Sequence, residues 1–536
     1  LKIEPVTETT SKYKIWEPLL FSVVTILGMM AGAKMVKSDP HDQKSEAALT
    51  NAHYSGRQVE EIIRFLETKY VGEVNSDELV TKAINKILEG LDPHTHYFPP
   101  DQMDELEERN MGHYVGIGIE VAFLGDSLVV LYPKKGSPAE RAGLHPGDFI
   151  VAINEMAIPH DSMKQQEILD LIKGDKGTRV KLTIKPMLAD TFHTVEVIRD
   201  EIKVPSVIAA YMIDTAVAYI KIQRFTNTTY REFMDAWERL ATEEKAHHLI
   251  LDLRDNPGGY LREAVNILSQ IIEEEGQLLV YTEGKNHDRI EYNSTGKVFF
   301  PIGNVTVLIN EGSASASEII AGCLQDQDRG LILGTRSYGK GLVQEQFELS
   351  NGGILRLTVS KYYTPSGRLI QKQYDSTSAV DTVIVFKTKS GRTVHAGGGI
   401  IPDIEIQDDI NWNDPILKEW MDIISEYSVN YNLKKHGGEM LPVEQIEEIH
   451  KDLPDEAGIL ESIKALSKKR KATEYPALLE YLANNQEDIL RIADATLIAY
   501  RTGEAGWYIA YNLSDPMVKK AKEMVHLDIL MALGQK

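Results

Sequence analysis

The chain has 536 residues, 43% of them hydrophobic and 26% charged, the balance of an ordinary globular protein of several domains. Its formal charge of −22 argues against non-specific binding of nucleic acid or of an anionic membrane surface, since both need basic patches. A single cysteine, Cys323, excludes an intrachain disulfide and leaves the compartment open; in its apolar setting it reads as a core residue.

At the N-terminus, Lys12 and Lys14 precede an apolar run from Leu19 to Ala33. The run is shorter than the roughly 20 residues a spanning helix needs, and it suits a signal-peptide core. Ala31-Gly32-Ala33 has the small-x-small form of a cleavage site. Residues 1–36 therefore read as a signal peptide or an uncleaved membrane anchor. Either one places the rest of the chain outside the cytoplasm, in a periplasm or its equivalent.

Residues 37–110 form the next region, a polar linker followed by a helical pattern. Its apolar positions are Ile62, Ile63, Phe65 and Leu66, then Leu79, Ala83, Ile84, Ile87 and Leu88. Asp92-Pro93 and Pro99-Pro100 break the pattern. His94 and His96 suggest a metal site, but no convincing third ligand accompanies them, and no metal is expected.

Residues 111–200 read as short strands and turns. Val115–Ile119 and Leu128–Leu131 are strand-like, and Ser137 to Leu144 reads as a short helix closed by Gly143. Gly125-Asp126-Ser127-Leu128 spells the nucleophile block of another hydrolase class, yet it falls in a hairpin turn.

Residues 201–405 alternate strand and helix. Leu249–Leu253, Val305–Ile309 and Leu331–Leu333 read as buried strands. Leu261, Ala264, Val265, Leu268 and Ile272 mark a helix. Alternation of this kind predicts a mostly parallel sheet with crossover helices. Residues 406–536 are helical and charged, with Glu447-Glu448 and Lys468–Lys471 expected on solvated faces or in loops.

The segment from Asn310 to Leu324 lies between a buried strand and a helix whose buried face is Ala316, Ile319, Ile320, Cys323 and Leu324. Ser315 then sits at the helix start, where unpaired N–H groups and the positive dipole end gather. Such a serine is either a simple N-cap or a nucleophile with donors ready for an oxyanion. Small residues from Ser313 to Ala316 leave room for another chain. A nucleophile needs a base. None of the 15 histidines lies in a comparable strand–turn setting, whereas Lys340 in Gly339-Lys340-Gly341 does. Lysine serves as a base only where desolvation lowers its pKa, which predicts an enclosed site. Gly334-x4-Gly339-Lys340 falls one residue short of a phosphate-binding loop and lacks the Ser or Thr that would hold magnesium.

These motifs resemble the C-terminal processing peptidases, or tail-specific proteases, of serine peptidase family S41. The resemblance rests on Ser313-Ala-Ser315-Ala-Ser-Glu318, on Lys340 coming 25 positions after Ser315, and on Gln344. It rests also on Asp252-Leu-Arg254-Asp-Asn-Pro-Gly258-Gly259, on Tyr362 to Arg368, and on Ile401-Pro402-Asp403. It covers roughly residues 55–405. The resemblance implies a multidomain α/β chain: a crotonase- or ClpP-like protease core, a PDZ β-module, and helical N- and C-terminal regions. It implies Ser315 as nucleophile, Lys340 as general base and Gln344 as the residue orienting the lysine. The oxyanion hole would be the N–H groups of Ala316 and Gly259, with Gly258 the adjacent alternative, because Pro257 stands where the family often has a third glycine. Lys–Gln contact across four residues needs a bend, for which Gly341 is the candidate.

Residues 114–190 resemble a PDZ domain, on Val115-Gly-Ile-Gly-Ile119, Ser137 to Leu144 and Gly147 to Asn154. That resemblance implies capture of a C-terminal carboxylate by the loop Tyr114, Val115, Gly116, Ile117 and Gly118, with the peptide added as a strand. The expected activity is ATP-independent endoproteolysis of protein or peptide substrates with accessible C-termini, without a cofactor. A membrane tether, a homo-oligomer and an adaptor protein stay open as partners. The rival is a catalytically inactive PDZ scaffold.

Overall fold

The computed structural model describes residues 56–102, 112–124, 127–158, 165–186, 191–372, 384–407, 410–470, 474–527 and 529–533. The expected signal or anchor at 1–36 and the Gly125-Asp126 turn lie outside them. Among the described residues no helix is long and apolar enough to cross a membrane.

The chain divides into two compact units, Leu1–Gly90 and Leu91–Lys536. In the first, two helices, Gly56–Lys69 and Ser76–Leu88, are described. Asn75 caps the second by accepting from Glu78 N at 3.3 Å. Ile62, Phe65 and Ile87 stay mostly exposed.

The second unit is built around a six-stranded sheet. Its order is Val207–Asp214, Val217–Ile222, His248–Asp252, Val305–Ile309, Gly330–Gly334 and Ile404–Glu405. The first pair is antiparallel and every other pairing is parallel, as the strand–helix alternation predicts. Strands Val217–Ile222, Val305–Ile309 and Gly330–Gly334 are buried along their whole length, which is why their sequences are mostly apolar without alternation; the charged exception, Lys221, is paired with Asp252. Phe233, Trp237, Ala264, Leu268, Ile320 and Cys323 pack on one face, from helices Thr229–Thr242, Leu261–Ile271 and Ala316–Asp326. The burial of Cys323 agrees with its core reading.

Helix Ala316–Asp326 departs from the amphipathic reading, for every one of its residues is buried. Its polar side chains are paired instead of solvated: Asp326 and Gln325 both accept from Arg368, at 2.5 and 2.9 Å.

A second sheet carries the lysine segment. Strand Ile354–Tyr363 pairs with Leu342–Glu348 along its length, and at its two ends with His96–Phe98 and Leu278–Gly284. Residues Leu91–Phe98 thus join the unit that holds the six-stranded sheet.

The β-module spans Ile119–Ile198, with its own core of Leu128, Val130, Leu144, Ile150, Ile168, Val180 and Leu182. Ser137 caps the short helix Pro138–Arg141, and Gly143 at φ 81° ends it, the conformation that a C-terminal glycine supplies at low cost.

The C-terminal helices are more than a solvated appendage. They have an apolar core around Trp420, Ile423, Ile463, Leu482 and Ile498. Val429, Leu433 and Tyr500 cover Ala122 and Val129 of the β-module. Helix Pro516–Met524 lays Met517, Val518 and Ala521 on the open face of the six-stranded sheet, against Tyr219, Ile250, Leu308 and Leu333. The six-stranded sheet is therefore closed by residues far beyond Asp403.

Candidate active site

Strand Val305–Ile309 delivers the chain into a tight turn, and that turn is stitched to the loop after Asp252. Ser313 Oγ donates to Leu253 O at 2.8 Å, Ala314 N to Asn256 O at 2.9 Å, and Ser317 Oγ to the same oxygen at 3.0 Å. Ser315 emerges at φ 53°, ψ −113°, outside the regions ordinary side chains adopt, and the helix begins at Ala316. Strain of this kind persists only where the surroundings over-determine it, and it gathers at functional sites. Among the described residues, no acceptor meets the N–H of Ala316, which sits in the unpaired first turn.

The glycines at 258 and 259 differ. A Cβ on Gly258 would lie 2.7 Å from Ser315 Cβ, so only glycine lets the loop approach the serine. The Gly258 N–H is already given to Asn256 Oδ1 at 2.8 Å. The Gly259 N–H has no acceptor among the described residues, and Gly259 is exposed. Of the two candidates, Gly259 has the uncommitted donor.

Glu318 ties the serine to the lysine. It is fully buried, and its carboxylate accepts four hydrogen bonds. Oε1 takes Ser337 Oγ at 2.6 Å and Gly339 N at 2.7 Å. Oε2 takes Lys340 N at 2.8 Å and Ser315 N at 2.9 Å. One oxygen thus holds the backbone nitrogens of both predicted catalytic residues. Burial pushes the Glu318 carboxyl above its ordinary value, while these donors pull against that shift.

Lys340 is half-buried, and its pKa is lowered first by loss of solvation and then by the charge of Arg356; Asp92 and Glu318 oppose the shift. Gln344 donates through Nε2 to Thr358 Oγ1 at 3.4 Å. The irregularity between the two residues is a register shift at Val343/Gln344, on the strand itself. Gly341 is used differently. Its N–H reaches Gln371 Oε1 at 2.8 Å, and a Cβ there would sit 2.8 Å from Gln371 N. Strand Leu342–Glu348 follows the lysine where a phosphate-binding loop needs a helix.

Residues 216–406 match the family described as Peptidase family S41, and residues 129–186 match a PDZ domain. A carboxy-terminal-processing protease of Bartonella bacilliformis is 34% identical over 314 residues, 58% of this chain and 71% of that protein. The chain belongs to peptidase family S41. A probable CtpA-like serine protease of Staphylococcus aureus is 33% identical over 58% of this chain, which spans 62% of that protein's length. Among solved structures, the photosystem II D1 C-terminal processing protease is 26% identical, covering 67% of this chain and 95% of its own, with a TM-score of 0.36.

In this S41 peptidase the PDZ residues Tyr114–Gly118 belong to other strands and loops than Ser315, at a helix start, and Lys340, in the loop before Leu342–Glu348. His113–Gly116 pairs with Asp200–Lys203, so Tyr114, Val115 and Gly116 are partly committed. Ile117 O accepts from Ala139 N, and Gly118, at φ 71°, accepts through its carbonyl from Lys134 N. The next strand, Ile119–Leu124, pairs only with Ser127–Pro133 among the described residues, which leaves it at the sheet edge.

Several contributors to the S41 site carry little or no signal in the sequence. Glu318 is visible there only as the last residue of the serine motif. Asp92, beside His94, accepts from His94 N at 2.8 Å, Thr95 N at 3.0 Å and Thr95 Oγ1 at 2.7 Å. Thr95 Oγ1 in turn accepts from Thr358 N at 3.2 Å, beside Gln344. Asp-Pro-His-Thr is an Asx-turn sequence, the signal that could have found it. Nothing local marks Arg356.

Proposed function

We propose that this S41 peptidase is an ATP-independent endopeptidase that acts outside the cytoplasm through a Ser315–Lys340 dyad. The observation that carries the reading is the shared Glu318 oxygen, which supports both residues in one small site. Ser315 Oγ attacks the substrate carbonyl carbon, and neutral Lys340 Nζ takes the hydroxyl proton. The N–H groups of Ala316 and Gly259 receive the oxyanion. Collapse breaks the C–N bond, and the lysine passes its proton to the departing amine. Water, deprotonated by Lys340, then attacks the acyl carbon; the bond to Ser315 Oγ breaks, the new carboxyl end is released, and Lys340 returns the proton to Ser315 Oγ. Gln344, with Nε2 engaged by Thr358, offers its carbonyl oxygen to orient the lysine.

Substrate choice falls to the PDZ module. The loop Tyr114–Gly118 would hold a terminal carboxylate, and the peptide would extend the sheet beside Ile119–Leu124. The location outside the cytoplasm rests on the apolar run Leu19–Ala33 alone. Incubation of an unfolded protein with the wild-type chain and with Ser315→Ala tests the reading. Cleavage should fall by about 10³-fold or more in the variant. Equal behaviour of the two would leave a PDZ scaffold.

The pH profile gives a second test. Protonated lysine cannot act as base, so kcat/KM should rise with pH through a pKa below that of ordinary lysine. Arg356→Gln removes a positive charge that disfavours the protonated form, so the limb should move to higher pH. Asp92→Asn removes the opposing negative charge and should move it lower. A limb that stays fixed in both variants, read by initial rates across the range, would separate these charges from the base.

A further inference from the structure

The loop that presents Gly259 is held from behind by a buried charge network whose last member comes from the C-terminal region. Asp252, on the sheet, is fully buried and accepts from Tyr219 Oη at 2.6 Å and Lys221 Nζ at 3.1 Å. Arg254 grips the same carboxylate through Nε at 3.0 Å, Nη2 at 2.6 Å and its own backbone N at 2.9 Å. Its remaining arm, Nη1, reaches Asp515 Oδ2 at 2.7 Å. Asp515 and Arg254 are 2% and 8% exposed, so neither can exchange its partner for bulk water. Two neighbouring C-terminal residues reinforce the contact. Asn512 Nδ2 donates to Tyr211 Oη at 2.8 Å, and the Tyr508 ring lies 5.8 Å from Lys221 Nζ.

Arg254 stands two residues before Asn256, which holds the Gly258 N–H and accepts from both Ala314 N and Ser317 Oγ. Where Arg254 is held, the backbone from Asn256 to Gly259 is held against the serine turn. We propose that Asp515 is a positioning residue for the oxyanion arm, so that docking of the C-terminal helix Pro516–Met524 completes the active site. The assignment rests on the proteolytic reading above for its kinetic consequence, and on the geometry alone for the loop.

The two oxygens of Asp515 have separable roles. Oδ1 caps the helix, accepting from Met517 N at 2.8 Å and Val518 N at 3.1 Å, while Oδ2 takes Arg254. Asp515→Asn keeps a carbonyl oxygen for the cap and turns an amide NH2 toward the guanidinium, donor against donor. Val525→Ala, at the far end of the same buried face, is the packing control. Two measurements decide: steady-state cleavage of an unfolded protein, and amide hydrogen exchange of residues 253–259, which reads the loop whether or not the chain cleaves.

Asp515→Asn should lower kcat about 10- to 100-fold with KM within about twofold, and should speed exchange across 253–259. Val525→Ala should lower Tm while kcat and loop exchange stay at the wild-type values. Should Asp515→Asn fail to fold, Asp515→Ser keeps the cap, leaves room for a water at Arg254, and is read the same way. Unchanged loop exchange in the folded variant overturns the proposal, as does an equal loss of kcat in Val525→Ala. An inert wild-type chain would instead sink the proteolytic reading, with loop exchange still deciding the link to Asp515.

Discussion

Lys340→Met is expected to abolish proteolysis, by about 10³-fold or more, while leaving the fold intact or stabilising it. Methionine fills nearly the same volume but accepts no proton. The stability half follows from linkage. Burial and Arg356 depress the lysine's folded pKa, so the native state holds the proton less tightly than the unfolded chain. That costs stability at every pH below the ordinary lysine value, most fully below the folded pKa, and the cost vanishes above the ordinary value. Methionine removes it, so Tm should be equal or higher at neutral pH and the gain should disappear in strong alkali. Paired thermal melts and cleavage assays separate this outcome from a variant that is inactive because it is unfolded. Proteolysis at the parent rate by Lys340→Met would end the lysine-base mechanism.

Glu318→Gln should be the most damaging substitution that leaves both predicted catalytic side chains in place. The carboxylate presents acceptors on both sides, and all four of its partners are donors. An amide can satisfy only one side. Its NH2 then confronts either Lys340 N and Ser315 N or Ser337 Oγ and Gly339 N, at a side chain that is fully buried. Two buried donors left unpaired cost about 2–6 kcal/mol. Ser337 can rotate its hydroxyl away, whereas backbone N–H groups cannot, so the lower part of that range fits an amide facing Ser337 and Gly339. Denaturant unfolding should show the loss, and cleavage by the remaining folded fraction should fall as well, because the serine and lysine backbones lose their common anchor. A variant within about 1 kcal/mol of the parent would mean that Glu318 does not carry the connection.

Local pattern made much of the S41 core legible. Short, largely apolar runs at Leu249–Leu253 and Val305–Ile309 read as buried strands, and the 3.6-residue spacing after Leu261 and Ala316 reads as helix. The placing of Ser315 at a helix start followed from that spacing. Pattern failed where a polar residue was buried with a distant partner. Glu318, Gln325 and Asp326 look like the wet side of an amphipathic helix, yet all three are inside, paired to Ser337, Gly339, Lys340 and Arg368. Gly341 looked like the bend between Lys340 and Gln344, but the register shift lies at Val343/Gln344, and Gly341 instead gives its N–H to Gln371 Oε1.

Residue order alone determined the β-module, the strand–helix alternation that follows it, the serine turn and the glycine-flanked lysine, since each depends on neighbours within a few positions. Which glycine keeps a free N–H, which carboxylate joins serine to lysine, and which helix closes the back of the sheet were decided only in three dimensions. Arg254 and Asp515 are 261 positions apart and meet at 2.7 Å. No local periodicity encodes such a pair, because its energy comes from the desolvation that burial imposes, and burial exists only once the chain has folded.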